Sequence, residues 1–496
     1  MKKLRILPLF VCTVFILIVL SIRILYIGIS DCSQSRSIIK QQSSASVVFS
    51  SVRKEIFDRN MIPLTSRKIS VLNLTPKGKI SEKYISDSKI FPMFSRYSKS
   101  SPASHLLGYN ATDGSGLSGV EKKLDNILKT DKTLSIFYES DAGGNPLDNT
   151  DITTDNINPS QDGIKLTIDY HIQRIAETVM DEYIPKGATV IIDINTFEVI
   201  AMVSRPDFDS SDISEAMISE DAPLLNRAIC EYNAGSVFKI ITACSLLEKD
   251  FKDTNSYYYC TGTYDKRLPS SHVFNCHKKD GHGYQLFSEG FANSCNCTFY
   301  DAGLKVGGEA LCNMAKKFGF GKTHLNFNNE EASGNIMKKD EYSESDILNM
   351  SIGQGDILIT PLQAAIMAAT IANNGIRQSI SLTIPQSAKM KFRVVSEQTA
   401  EAVRKMMREC VLSGTARQAC MSEAEIAGKT GSAETGWETP SGEYAVHGWF
   451  CGFFPYSAPK YAMAVFSENG KSGTASCVEP FTKICEEINK IYPLKQ

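Results

Sequence analysis

A dominant charge sign is missing from this chain. Its 53 Lys and Arg stand against 55 Asp and Glu over 496 residues, a formal net charge of −2, so it lacks the electrostatic footprint of a nucleic-acid binder. Long apolar runs are scarce as well. One lies at the N-terminus, too few for a polytopic transporter, and the 42% hydrophobic composition excludes disorder of the whole chain. No internal repeat recurs, and no Gly-x-Ser-x-Gly elbow occurs. His447 therefore lacks the setting of a Ser-His-Asp hydrolase, and Gly448-Trp-Phe450 beside it reads as a packed strand. Gly319-Phe-Gly-Lys-Thr323 has part of a phosphate loop, but the glycine required five positions before Gly321 is Lys316.

The one long apolar run covers 6–22 and, past Arg23, continues over 24–29. That is about 24 residues, enough to span a bilayer if Arg23 snorkels to the interface. Lys2, Lys3 and Arg5 precede it, which holds the N-terminus in the cytoplasm and places the bulk of the chain outside. A cleaved signal peptide fits less well: the run is longer than about 15 residues, and no small-residue cleavage site follows it. Asp31 likewise argues against lipidation of Cys32. Of the 14 cysteines, setting Cys12 aside in the membrane leaves an odd number, and Cys244 and Cys451 have the apolar neighbours of buried thiols.

Four segments follow from composition and periodicity: a cytoplasmic tail over 1–5, a transmembrane helix over 6–29, a polar, Ser-rich and strand-rich domain over 30–163, and a large mixed domain over 164–496. The first of these domains includes an alternating stretch over 43–52 and an Asp/Asn/Gly-rich stretch over 139–163. In the large domain, patterns predict strands at 164–168, 188–192, 445–454 and 461–466, and helices at 173–183, 237–248, 361–373 and 397–412.

The most informative stretch is Tyr232-Asn-Ala-Gly-Ser-Val-Phe-Lys239. A helix starting at Val237 would put Ser236 at its N-terminus and Lys239 one turn on, on the same face. Apolar flanks strip hydration from the amine, favour its neutral form and make it a base for the serine. The helix N-terminus also directs N–H groups at any oxyanion formed there. Ser-x-x-Lys alone says little, since it recurs at Ser37, Ser51, Ser86 and Ser457. Ser236 differs in its followers, Ser294-Cys-Asn296 and then Lys429-Thr-Gly-Ser432.

These three motifs, in this order, resemble the signature of penicillin-binding proteins and serine β-lactamases. Arg53-Lys-Glu-Ile-Phe-Asp-Arg-Asn60 is similar to the start of the N-terminal module of class B penicillin-binding proteins. Gly116-Leu-Ser-Gly-Val-Glu121, Leu166-Thr-Ile-Asp169, Asn226-Arg227, Gly353-Gln-Gly355, Thr360-Pro-Leu-Gln363 and Trp449-Phe450 extend the likeness along nearly the whole chain. The departures are Lys54 where glycine is usual, Ala234 where proline is usual, and Phe197 in place of the glycine of Thr-Gly-Glu. The resemblance implies an α+β fold: an antiparallel sheet flanked by helices, on an N-terminal pedestal or dimerisation-type domain. No glycosyltransferase domain is expected before 164, and no sensor repeats after 496.

The resemblance further implies a peptidoglycan D,D-transpeptidase, most like penicillin-binding protein A or the elongation and sporulation types, acylated by β-lactams. Ser236 would be the nucleophile, Lys239 its base and Ser294 a proton relay, with Asn296 orienting Lys239 and a substrate amide. Lys429, Thr430 and Ser432 would bind the substrate carboxylate. Gly431 would let an extended peptide approach, and the N–H groups of Ser236 and Ser432 would form the oxyanion hole. No cofactor is required for this catalysis. Implied partners are stem peptides, β-lactams and a membrane glycan-strand polymerase of the shape, elongation, division or sporulation type. Rival outcomes are hydrolysis, as a D,D-carboxypeptidase or β-lactamase, and a non-catalytic β-lactam sensor or scaffold.

A second constellation, Cys260, Cys276, His282 and Cys295, has the pattern C-x15-C-x5-H-x12-C. Its soft and imidazole donors suit a tetrahedral structural zinc, a Cys260–Cys276 disulfide suits an oxidising compartment, and free thiols are the third reading. Some elongation-type class B enzymes carry a metal at comparable spacing.

Overall fold

The computed structural model describes residues 6–30, 44–65, 68–74, 80–81, 89–99, 101–111, 114–141, 147, 153–154, 163–264, 273–384, 389–438, 442 and 444–494. The tail over 1–5, Cys32, the Ser37 and Ser86 copies of Ser-x-x-Lys, and most of 139–163 lie outside them. Helix α1, Ile6–Ser30, is long and apolar enough to cross a membrane.

Two compact units divide the chain. One comprises 1–53, 69–95 and 130–159 and holds helix α1 and two sheets: Ser44–Arg53 pairs with Lys129–Glu139, which pairs with Thr153–Thr154, and a second sheet joins Ile80–Ser81, Lys68–Leu74 and Lys89–Ser95.

The other unit comprises 54–68, 96–129 and 160–496. Its centre is an antiparallel sheet of five strands: β1 (Gly187–Asp193), β2 (Glu198–Arg205), β3 (Ala427–Glu438), β4 (Tyr444–Phe454) and β5 (Tyr461–Gly470), in the order β2-β1-β5-β4-β3. Strand alternation separates two cores. Val190, Ile192, Trp449, Cys451, Ala462 and Ala464 face one, and Ile191, Phe450, Phe454, Met463 and Val465 face the other, as side chains at successive positions must. A bulge after Val199 turns both Ile200 and Ala201 to the second face.

Seven helices position the site and close the cores: α2 (Tyr170–Tyr183), α3 (Lys239–Lys249), α4 (Phe287–Ala292), α5 (Asn296–Val306), α6 (Pro361–Ala372), α7 (Glu397–Leu412) and α8 (Gly473–Ile491). The Asp169 carboxylate caps α2 by accepting the N–H groups of His171 and Ile172, so it starts three residues before the predicted position. Thr360, Pro361 and Gln363 form a capping box that starts α6. That helix is buried on every side in the first core. On the other face α8 buries Val478, Phe481, Ile484 and Ile488, each worth about 1.5 to 3 kcal/mol of apolar burial.

The predicted helix at 397–412 matches α7, and the four predicted strands match Gly163–Leu166, β1, β4 and β5 with small shifts at their ends. Two sheet strands escaped the pattern. β2 is buried at every position, so alternation is absent, and β3 is rich in Gly, Lys, Ser and Glu, which have low strand preference.

Candidate active site

The segment that carries Ser236 enters along Tyr232–Asn233, which pairs with Leu358–Ile359. Ala234, where the family usually has proline, donates its N–H to the Ile357 carbonyl at 3.3 Å, a bond proline cannot make. Gly235 follows at φ +56, and a Cβ there would lie 2.6 Å from the Ser432 carbonyl oxygen, so both backbone sign and space demand glycine. The expected α-helix from Val237 is instead a 3-10 turn over Gly235–Phe238, with α3 beginning at Lys239. In such a turn, positions three apart eclipse, which sets Ser236 and Lys239 more directly in line than an α-helix would. Ser236 is half-buried, and Lys239 is fully buried.

Ser294 and Asn296 arrive on the link between α4 and α5. Ser294 takes φ +54, a left-handed conformation that a non-glycine residue adopts only under strain. Cys295, between them, is the residue that precedes α5, without a side-chain capping bond. The Lys239 amine donates to the Ser294 carbonyl (2.7 Å), the Ser294 hydroxyl (3.3 Å) and Asn296 Oδ1 (2.7 Å), and lies over the Phe299 ring at 5.3 Å. No carboxylate is among these partners. Burial, followed by the positive charge of Lys429, lowers the Lys239 pKa from 10.5 to about 7, against an opposing contribution from nearby thiols. The structure thus joins Lys239 to Ser294 and Asn296, while no hydrogen bond among the described residues joins it to Ser236.

Lys429 to Ser432 lie on β3, the edge strand of the sheet. Lys429 is fully buried, donates to the Thr430 carbonyl at 3.0 Å, stands 5.8 Å from the Phe291 ring centre, and is lowered in pKa by burial. The Thr430 hydroxyl meets that of Thr415 at 2.5 Å. Ser432 is exposed, and its hydroxyl accepts the Gly473 N–H at 3.2 Å. Gly431 has a neighbour the sequence did not reveal: a Cβ would come within 3.0 Å of Val237 Cγ1 and 3.1 Å of its nitrogen. Its missing side chain therefore makes room for the turn that carries Ser236. Thr415 was also missed; the Ser413-Gly-Thr415 turn closing a predicted helix was the available signal.

The second constellation assembles beside this machinery. The ligand atoms of Cys260, Cys276, His282 and Cys295 all lie within 4.8 Å of one another. Cys276 Sγ is 3.5 Å from His282 Nδ1 and 3.9 Å from Cys295 Sγ, and thiolates on a tetrahedral zinc stand about 3.8 Å apart. Hydrogen bonding with Cys295 and Cys297 holds the Cys276 thiol well below its usual range, and burial lowers the pKa of His282. Cys297 adjoins the set, although its spacing did not mark it. The thirteen described cysteines are all free thiols, including Cys260 and Cys276.

The remaining sequence candidates are structural. His447 accepts the Asn469 N–H at 3.2 Å, packs against Tyr232 and Phe466, and is pushed down to about 4 by burial. Gly319, at φ +101, ends the helix Gly308–Phe318. The Ser457 hydroxyl donates to Glu425 on the surface.

The penicillin binding protein transpeptidase domain family matches residues 187–486. The chain is 31% identical over 445 residues to stage V sporulation protein D of Bacillus subtilis, covering 82% of this chain and 66% of that protein. It is 29% identical over 408 residues to the peptidoglycan D,D-transpeptidase MrdA of Acinetobacter baumannii, covering 74% and 59%. The chain thus spans roughly three fifths to two thirds of the length of these curated relatives. Among solved structures, a chain of a peptidoglycan synthase complex described as coordinating polymerization and crosslinking superposes with TM-score 0.74, over 99% of each chain at 22% identity. That likeness is one of fold.

Proposed function

Because this chain belongs to the penicillin-binding protein transpeptidase family, we propose that it is a membrane-anchored peptidoglycan D,D-transpeptidase working through a Ser236 acyl-enzyme. The observation that carries this reading is the buried Lys239 amine, held near neutrality with Ser294 and Asn296 as its partners.

In the first half-reaction, Ser236 Oγ attacks the carbonyl carbon between the two terminal D-alanines of a stem peptide, and its proton passes to neutral Lys239. The N–H groups of Ser236 and Ser432 stabilise the oxyanion. The C–N bond then breaks, and Ser294 relays a proton from Lys239 to the departing D-alanine amine. In the second, the amine of another stem peptide attacks the ester carbonyl and loses a proton to Lys239, which passes a proton to Ser236 Oγ as the ester C–O bond breaks, leaving both groups as they began. Lys429, Thr430 and Ser432 hold the substrate carboxylate. Neither half-reaction calls for a cofactor.

In this reading α1 is the anchor, with Lys2, Lys3 and Arg5 on the cytoplasmic side and the bulk of the chain outside the cell membrane. Residues 30–163 serve as the pedestal, and a membrane glycan-strand polymerase is the partner, a reading supported by a synthase complex that contains one chain of this fold. Benzylpenicillin, followed by intact mass, tests the chemistry. One stable adduct per wild-type chain is expected, with none in Ser236→Ala or Lys239→Ala. No adduct and no turnover would overturn the acyl-enzyme reading, and rapid turnover without accumulation would redirect it to a β-lactamase.

Cys260, Cys276, His282 and Cys295 are proposed to hold one structural zinc, because their donor types, spacing and burial fit a closed tetrahedral site. Metal analysis of reduced, chelator-washed protein should find about one equivalent. Less than half an equivalent, with Cys295→Ser unchanged, would remove the proposal.

A further inference from the structure

One hydrogen bond in the site has both ends next to cluster thiols. Asn296 Nδ2 donates to the Asn275 carbonyl at 3.0 Å. Asn275 precedes Cys276 and Asn296 follows Cys295, and the two sulfurs are 3.9 Å apart. The carbonyl sits on anchored backbone. Phe274–Asn275 pairs with Thr263–Tyr264, the Cys276 N–H donates to Gly262 at 2.8 Å, and the Tyr300 hydroxyl also reaches the Asn275 carbonyl, at 3.4 Å.

A carboxamide has a donor end and an acceptor end of nearly the same shape, so its surroundings decide which way it points. Here the oxygen of Asn296 receives the Lys239 amine at 2.7 Å. Reversal would set Oδ1 against the Asn275 carbonyl, acceptor against acceptor, and would take from the protonated Lys239 amine the oxygen it donates to. The carbonyl therefore selects the end of the amide that meets Lys239, and the Cys276 and Cys295 segments keep carbonyl and amide in register.

We infer that Asn275 is a positioning residue for Ser236 acylation: its main-chain carbonyl, clamped through Cys276 and Cys295, fixes the Asn296 amide and through it the amine of Lys239. The inference rests on the acyl-enzyme reading and gives the Cys/His cluster a part in the chemistry as well as in stability.

The test uses full-length protein in detergent with benzylpenicillin, following both the rate constant of acylation and the fraction of protein acylated at completion. In Cys276→Ala the final fraction stays at one adduct per chain, while the rate constant falls about 10- to 100-fold, the scale expected when a reacting group is misplaced by about an ångström. Asn296→Ala combined with Cys276→Ala slows acylation little beyond the slower single variant, because both act on one hydrogen-bonded path. A rate within twofold of wild type overturns the inference. So does a lower final fraction whose competent molecules react at the wild-type rate, the mark of a purely structural role, and so do additive losses in the double variant. If Cys276→Ala does not fold, Asn296→Asp decides with the cluster intact. It keeps an oxygen for Lys239 but has no hydrogen to donate to Asn275, so the plateau acylation rate reached at high pH, which the added charge on Lys239's partner does not govern, falls, and a wild-type plateau refutes the inference. Failure of the acyl-enzyme reading looks different, since wild-type protein then gives no adduct at all.

Discussion

Acylation of Ser236 should follow the neutral fraction of Lys239 as pH is changed. Burial, with Lys429 contributing next, lowers that amine from 10.5 to about 7. At pH 7 half of the Lys239 amines are then neutral, whereas an exposed lysine is neutral in only about one molecule in 3,000. The site thereby raises the supply of ready base by about three orders of magnitude. Stopped-flow acylation by a fluorescent penicillin should lose about tenfold in rate per pH unit below 7 and level off above about 8. A rate independent of pH from about 5.5 to 9, or an inflection above 9, would refute the reasoning. The same displacement has a stability counterpart of fixed sign. Between pH 7 and 10.5 the unfolded chain binds the extra proton, so stability rises with pH across that window, and the cost of burying a charged amine is fully exerted below 7. Lys239→Met should be the more stable protein at pH 6, by up to about 5 kcal/mol, and lose that advantage as pH approaches 10.

Gly431→Ala should force Cβ against Val237 and displace the turn that carries Ser236. About 1 to 3 kcal/mol of stability is lost, seen in urea unfolding, with a slower acylation rate. Ser294→Gly should relieve the left-handed strain and raise stability by about 1 to 2 kcal/mol. Without the hydroxyl that accepts from Lys239, it should acylate at least about 100-fold more slowly. Glu121, fully buried, accepts from Arg96 Nε at 2.6 Å and from the Tyr97 hydroxyl. Glu121→Ala strands that guanidinium and should cost about 3 to 5 kcal/mol, read as a lower urea midpoint with an unchanged acylation rate in the folded fraction.

Much of this site was legible because its chemistry sits on side chains in short motifs. Ser236 with Lys239, Ser294 with Asn296, and Lys429 each announce a reacting or charged group at a fixed spacing, and the Cys/His pattern announces donors. What escaped notice is carried by backbone or by absence. The Asn275 carbonyl has no sequence signature, since every residue has one. Gly431 showed that a side chain was excluded, but only packing revealed that Val237 excludes it. The α-helix expected from Val237 failed for a related reason. Gly235 must turn left-handed to clear Ser432, and the chain tightens into a 3-10 turn before α3 begins. β2 and β3 were hidden because full burial and glycine-rich composition erase the alternation by which strands are read.

The two buried lysines also make ligand capture a proton-exchange event. Lys429 helps to depress Lys239, so any ligand whose carboxylate neutralises Lys429 lifts that depression and draws solvent protons onto the neighbouring amine. By thermodynamic reciprocity, the non-covalent encounter with such a ligand tightens as the medium becomes more acidic, while the bond-making step slows. Capture and chemistry thus have opposite pH preferences, and the productive pH range is a compromise set by the coupling of two buried lysines.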